Sequence, residues 1–191
     1  MIDDPWAWAV DGRRVSFCLT FISGRDPAQV ITTLGGDPDR LTLYTELEAY
    51  QQGRPNTIIR CGTVGTWTFC YEDSAGATAT PATAARLSEG TELLQVIKGG
   101  DGTNVIVHAR NGRRVEWTEP LRSFQPSGKG PHPLHSAVQA QMRREPEVLG
   151  LVAALHLIAD YVGGHITEAD LEGPLLGVVV SLTGLEWQLC G

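Results

Sequence analysis

The chain has 191 residues, with 15 Lys and Arg against 22 Asp and Glu, a formal net charge of −7, and 42% hydrophobic residues. That balance disfavours a nucleic-acid partner, because binding a phosphate backbone rests on Lys and Arg releasing counterions. The longest apolar run, Leu175 to Val180, is broken by Gly177 and falls far short of the ~20 residues a membrane span needs, so no membrane is expected.

The length suits one domain, 1–191, in which a sheet-rich part (1–119) leads through a Pro/Gly-rich connection (120–133) to a helical part (134–191). Trp6 and Trp8 stand two apart after Asp4-Pro5 and read either as a short strand on the core or as an exposed pair held for a partner. After the turn at Asp11-Gly12, Phe17, Leu19 and Phe21 alternate with Ser16, Cys18 and Thr20, which predicts a strand over 15–22. Asp26-Pro27 supplies a cap and a pre-set first residue for a helix through Leu34. Thr45-Glu46-Leu47-Glu48 is a capping-box arrangement that starts a helix running to Gln52, with Gly53 as its stop.

A strand over 57–61 and a link from Gly62 to Gly65 then lead into Thr66 to Glu72, the stretch with the densest β-formers. There Trp67, Phe69 and Tyr71 fall on one face, and Thr66, Thr68, Cys70 and Glu72 on the other. Thr80-Pro81 caps a helix to Leu87, and 91–97 is the next strand. The segments 103–109 and 113–118 flank Arg110-Asn111-Gly112, a strong hairpin signal. Past the connection, 147–162 carries a helical apolar stripe ended by Gly163-Gly164, and Thr167-x-x-Asp170 caps a further short helix. Periodicity leaves 175–182 open between a buried strand and a helix turn, whereas 185–189 alternates like a strand.

Three stretches form a set in the first half: Phe17 to Phe21 with Gly24-Arg25-Asp26-Pro27, then Gly65 to Phe69 with Glu72, then Leu87 to Glu92. Gly163-Gly164-His165-Ile166-Thr167 with Leu171 extends it. The set resembles a family of uncharacterised actinobacterial proteins carrying a domain of unknown function. The resemblance implies a fold and an intracellular origin and brings no catalytic residue. The chain departs from that family's pattern at Gly99-Gly100-Asp101-Gly102.

Few residues are spaced for chemistry. His132-x-x-His135 places two imidazoles where one helix face can share a metal, but Pro133 intervenes and no third ligand completes a set, so an exposed loop pair is expected. His156 reads as a core or boundary histidine and His165 as a turn residue. Cys61 and Cys70 fall on adjacent strands and would suit a redox pair only with exposed thiols and a lowered pKa; packed thiols are the expectation. Cys18 and Cys190 complete the four cysteines, without a C-x-x-C pair, and no apolar leader follows the acidic opening, so a cytoplasmic protein with free thiols is expected. The pairs Arg13-Arg14, Arg113-Arg114 and Arg143-Arg144 read as solvated turns or helix faces. No metal or cofactor is implied.

These features predict an α+β fold: an antiparallel sheet of about five or six strands, helices on one face and a helical C-terminal third. The functional reading is a noncatalytic interaction module of immunity or adaptor type that binds another protein through its sheet face or Trp6 and Trp8. The alternative is a small-molecule site, enzymatic or regulatory, between the sheet and the C-terminal helices, lined by several of Asp101, His108, His132 and His135. A homodimer through the edge strand 113–118 is compatible with both.

Overall fold

The computed structural model describes residues 4–52, 57–73, 77–121, 123–126 and 131–180. Its centre is a hairpin of β3 (Thr57–Val64) and β4 (Trp67–Glu72), turned at Gly65-Thr66, where Gly65 takes a φ of +55°. Gly62 to Val64 therefore belong to the strand rather than to a link. Beyond β4 lie β1 (Phe17–Ser23), β5 (Glu92–Lys98), β6 (Asn104–Arg110) and β7 (Arg113–Thr118). Beyond β3 lie β8 (Leu175–Val180) and the short edge strand β2 (Thr42–Tyr44).

The fold is α+β with one antiparallel sheet, but among the described residues the sheet has eight strands, in the order β2-β8-β3-β4-β1-β5-β6-β7, not five or six. β2 escapes the sequence because it has only three residues, too few to show a period, whereas β8 is the buried strand among the two alternatives left open over 175–182, an apolar stretch between two strands that lacks a polar face. β8 also corrects the helical C-terminal third, since after its helices that part returns to the sheet between β2 and β3. The strand-like pattern at 185–189, the Gly53 stop and Cys190 lie outside the described residues.

Helices cover both faces of the sheet, not one. Phe17, Leu19, Phe21, Trp67, Phe69 and Tyr71 form a core with α4 (Pro133–Arg144) and α5 (Gly150–Val162), which Trp6 and Trp8 join. On the opposite face Ile22, Ile59, Cys61, Cys70 and Leu93 pack against α1 (Pro27–Thr33) and α3 (Pro81–Leu87). Every residue of β4 is buried, so the central strand needs cover on both sides.

Local chemistry sets the helix starts. Asp26 and Gln29 cap α1 reciprocally at 2.8 and 3.0 Å, and Thr45 and Glu48 do the same for α2 (Glu46–Gln52). Thr80 accepts from the Thr83 amide at the start of α3, and Thr167 with Asp170 boxes α6 (Glu168–Glu172). Between β6 and β7, Asn111 and Gly112 both take positive φ (52° and 74°), as a two-residue hairpin turn of matching twist requires. Further along, Ala109 faces Arg114 while His108 faces Glu116, so Val115 bulges from this edge strand. Among the described residues, no helix is long and apolar enough to cross a membrane.

Candidate functional site

A polar constellation beside a surface groove lies where residues 13–16, the first turn of α2 and the end of β4 meet. Arg14 is the hub. Its guanidinium lies 5.6 Å from the Trp8 ring centroid and 5.5 Å from that of Tyr71, and its side chain is only 10% exposed. Both terminal nitrogens of Arg14 donate to the Glu46 carboxylate, the second at 3.0 Å, and the first also donates to the Tyr71 hydroxyl at 3.1 Å. Burial alone would depress the Arg14 pKa; the Glu46 carboxylate and Tyr71 outweigh it and hold the guanidinium above its ordinary value. Burial, aided by Asp73, pushes the Tyr71 hydroxyl up, so it stays protonated.

The sequence builds this hub locally. The capping box fixes the α2 start, and with it Glu46, while Lys98 donates to the carbonyls of Ala9 and Arg14 at 2.8 and 2.7 Å and pins the segment between them. The result is a groove of about 590 Å³ lined by Arg13, Arg14, Val15, Glu46, Leu47 and Tyr50 among others. Around the locked ion pair, Val15, Leu47 and Tyr50 are 64%, 64% and 61% exposed.

The residues singled out from the sequence have other tasks. Trp6 and Trp8 are 0% and 3% exposed, which takes them off any contact surface: their rings fill the core, and the Trp8 indole N–H donates to the Ile166 carbonyl at 3.0 Å. Asp101 accepts from the Thr103 amide within its own turn. His108 meets Glu92 at 2.6 Å, whereas His135 meets the Thr118 hydroxyl at 3.0 Å from the first turn of α4. His132 Nδ1 is buried without a hydrogen-bond partner. Asp101, His108 and His135 thus serve separate local bonds, and the four side chains do not converge on one point. The histidine pair also starts a helix rather than sitting in a loop, because buried Glu116 accepts from the amides of Leu134 and His135 at 3.0 and 2.7 Å.

A second cluster collects around Glu92, which accepts from Arg110 at 2.6 Å and from Tyr161 at 3.1 Å as well as meeting His108. Burial would raise its carboxyl, but these bonds outweigh burial and hold it below the usual glutamate range. Among the described residues, no three His, Cys, Asp or Glu side chains group to hold a metal.

Arg14, Glu46, Tyr71 and Glu92 were not singled out from sequence. The Arg13-Arg14 pair read as solvated, which fits Arg13, 64% exposed at its side chain, but not Arg14. The available signal was the Thr45 capping box, which marks where Glu46 must sit; nothing local reveals that Trp8 and Tyr71 offer ring faces to Arg14.

A family model described as "Family of unknown function (DUF6461)" matches residues 3–144. No curated protein and no solved structure matches the chain.

Proposed function

The chain belongs to the DUF6461 family of unknown function, and from its own surface we propose that it is a noncatalytic module, of immunity or adaptor type, that binds another protein through the groove at α2. One observation carries this reading: Val15, Leu47 and Tyr50 stand exposed around an Arg14–Glu46 pair that is already fixed before any partner arrives. Apolar groups around a preorganised polar centre are the composition of an interaction hot spot, and rigid side chains lose little entropy on binding. The proposal moves the contact from Trp6 and Trp8 to this groove and includes a cytoplasmic, bacterial setting. A homodimer through β7 fits less well, since Val115 bulges from that edge and Arg113 and Arg114 are exposed on it.

Native mass spectrometry of the tagged chain, purified gently from its source cells, tests the proposal. A second polypeptide in fixed stoichiometry should accompany the unsubstituted chain and be absent from a Leu47→Asp, Tyr50→Ala variant whose melting temperature is unchanged. Retention of the partner by that variant would move the contact elsewhere.

A second reading keeps one observation of its own. A cavity of about 580 Å³ opens between the outer end of β3 and the segment leading into and out of α6, lined by Thr63, Phe69, His165, Asp170 and Leu175. A bound mass of a few hundred daltons in the same spectrum would favour a small-molecule site there.

A further inference from the structure

Cys61 on β3 and Cys70 on β4 are direct partners in the sheet register. Their position in the hairpin is informative. In a two-residue turn the closing pair, here Val64 and Trp67, exchanges hydrogen bonds, and the pairs then alternate: 63 with 68, 62 with 69, and 61 with 70. Cys61 and Cys70 therefore occupy a non-hydrogen-bonded pair, where Cα atoms stand about 4.5 Å apart, inside the span that a disulfide bridges. Both thiols project to the α1 face, where they join one buried cluster.

Cys61 and Cys70 are 1% and 0% exposed, packed as the sequence predicts, so an oxidant reaches Cys61 when the open edge of β3 parts. β8 pairs with β3 only as far as Cys61 opposite Leu176, and past that point the open edge of β3 borders the 580 Å³ cavity, whose lining includes Cys61 together with Pro27 at the start of α1 and Leu176. Cys18, the remaining described cysteine, is held in a separate contact: it accepts from the Thr78 hydroxyl and faces Glu72 across the strands.

We propose that Cys61 and Cys70 are a reversible dithiol–disulfide site, oxidised by small disulfides that enter through the cavity at the open edge of β3. The steps balance as thiol–disulfide exchange. Cys61 loses its proton to solvent and its sulfur attacks one sulfur of the small disulfide, forming a mixed disulfide and expelling one thiolate, which takes up a proton. Cys70 then loses its proton, attacks the Cys61 sulfur and expels the second thiol. The protein S–S bond replaces two S–H bonds, and two electrons leave with the oxidant, now two free thiols. The neighbouring Cys61 and burial push the Cys70 thiol up, so the second step is slow near neutral pH and quickens with alkalinity. The site lies on the opposite face of the sheet from the Tyr71 side of the α2 groove and is independent of the interaction reading.

The test treats the full chain with 2-hydroxyethyl disulfide at about pH 7 and about pH 9, then denatures it, counts free thiols with a maleimide and maps the peptides. Two thiols should become unreactive, the intact mass should fall by two hydrogens, and the map should join the peptides holding Cys61 and Cys70. Dithiothreitol should restore both. Cys70→Ser should stop at the mixed disulfide on Cys61, and Cys18→Ala should behave as the unsubstituted chain does. Four reactive thiols after treatment, or a bond that leaves Cys61 and Cys70 free, would overturn the proposal. The peptide map of the unsubstituted chain decides the matter even if a variant fails to fold.

Discussion

Arg60 is 2% exposed, yet among the described residues its guanidinium donates only to the Leu171 carbonyl, at 2.5 Å, and one terminal nitrogen is buried with no partner. Its head lies 5.6 Å from the Tyr71 ring centroid, on the same face as the α2 groove. Burial lowers its pKa, against the pull of Asp73 and Glu46, the direction expected of a cation short of compensation. A buried charge without close pairing costs more than its contacts return, whereas its aliphatic stem fills space. Arg60→Met should therefore leave the melting temperature unchanged or raised, while Arg60→Ala, which also opens a cavity, should cost about 2–5 kcal/mol in urea denaturation. Equal losses in both variants would show that the guanidinium itself, through Leu171 and Tyr71, holds β3 to α6. In sequence Arg60 was simply one residue of a short strand, and its burial follows only from the helices that close over that face.

Helix α5 begins at Gly150, a residue that ordinarily weakens a helix relative to alanine. Here the reason is close approach: a Cβ at this position would overlap the carbonyl oxygen of Pro120 and come within 3.1 Å of the Met142 sulfur. Gly150→Ala should therefore destabilise the protein despite the better helix propensity, by about 1–3 kcal/mol, because backbone rather than a flexible side chain must yield. A rise in the urea midpoint would mean that α5 starts free of the connection. This packing explains an error at the element scale. The apolar stripe predicts a helix from 147, but the chain turns at Glu145 to Val148 before Leu149 leads into α5. Other element starts were readable because their causes are local: the boxes at Asp26, Thr45 and Thr167 each join residues three apart. Glu116 capping α4 was not, because donor and acceptor lie 18 and 19 positions apart.

Across the whole molecule, the family match ends at residue 144, where α4 also ends. The fold does not stop there. α5 contributes Leu151, Val152, Leu155, Ile158 and Val162 to the core over β1 and β4, and β8 sits between β2 and β3, joining β2 to the sheet. Val178 and Val180 also complete the opposite core beside Ile59. The alternation of Trp67, Phe69 and Tyr71 identified the central strand, but that pattern gives no clue that the outer side of β3 is completed by residues more than a hundred positions later. Loss of 145–191 would uncover the apolar face of Phe17, Phe21, Phe69 and Trp67 and leave β3 as a bare edge, a far larger loss than the 5–15 kcal/mol by which domains are ordinarily stable. A chain ending at residue 144 should accordingly show no cooperative thermal transition and should bind a hydrophobic dye strongly, whereas the full chain should melt in one step. A sharp transition in the shortened chain, with strand content retained in circular dichroism, would instead make β1 and β3 to β7 a unit that folds alone, with α5 and β8 as later additions to a finished sheet.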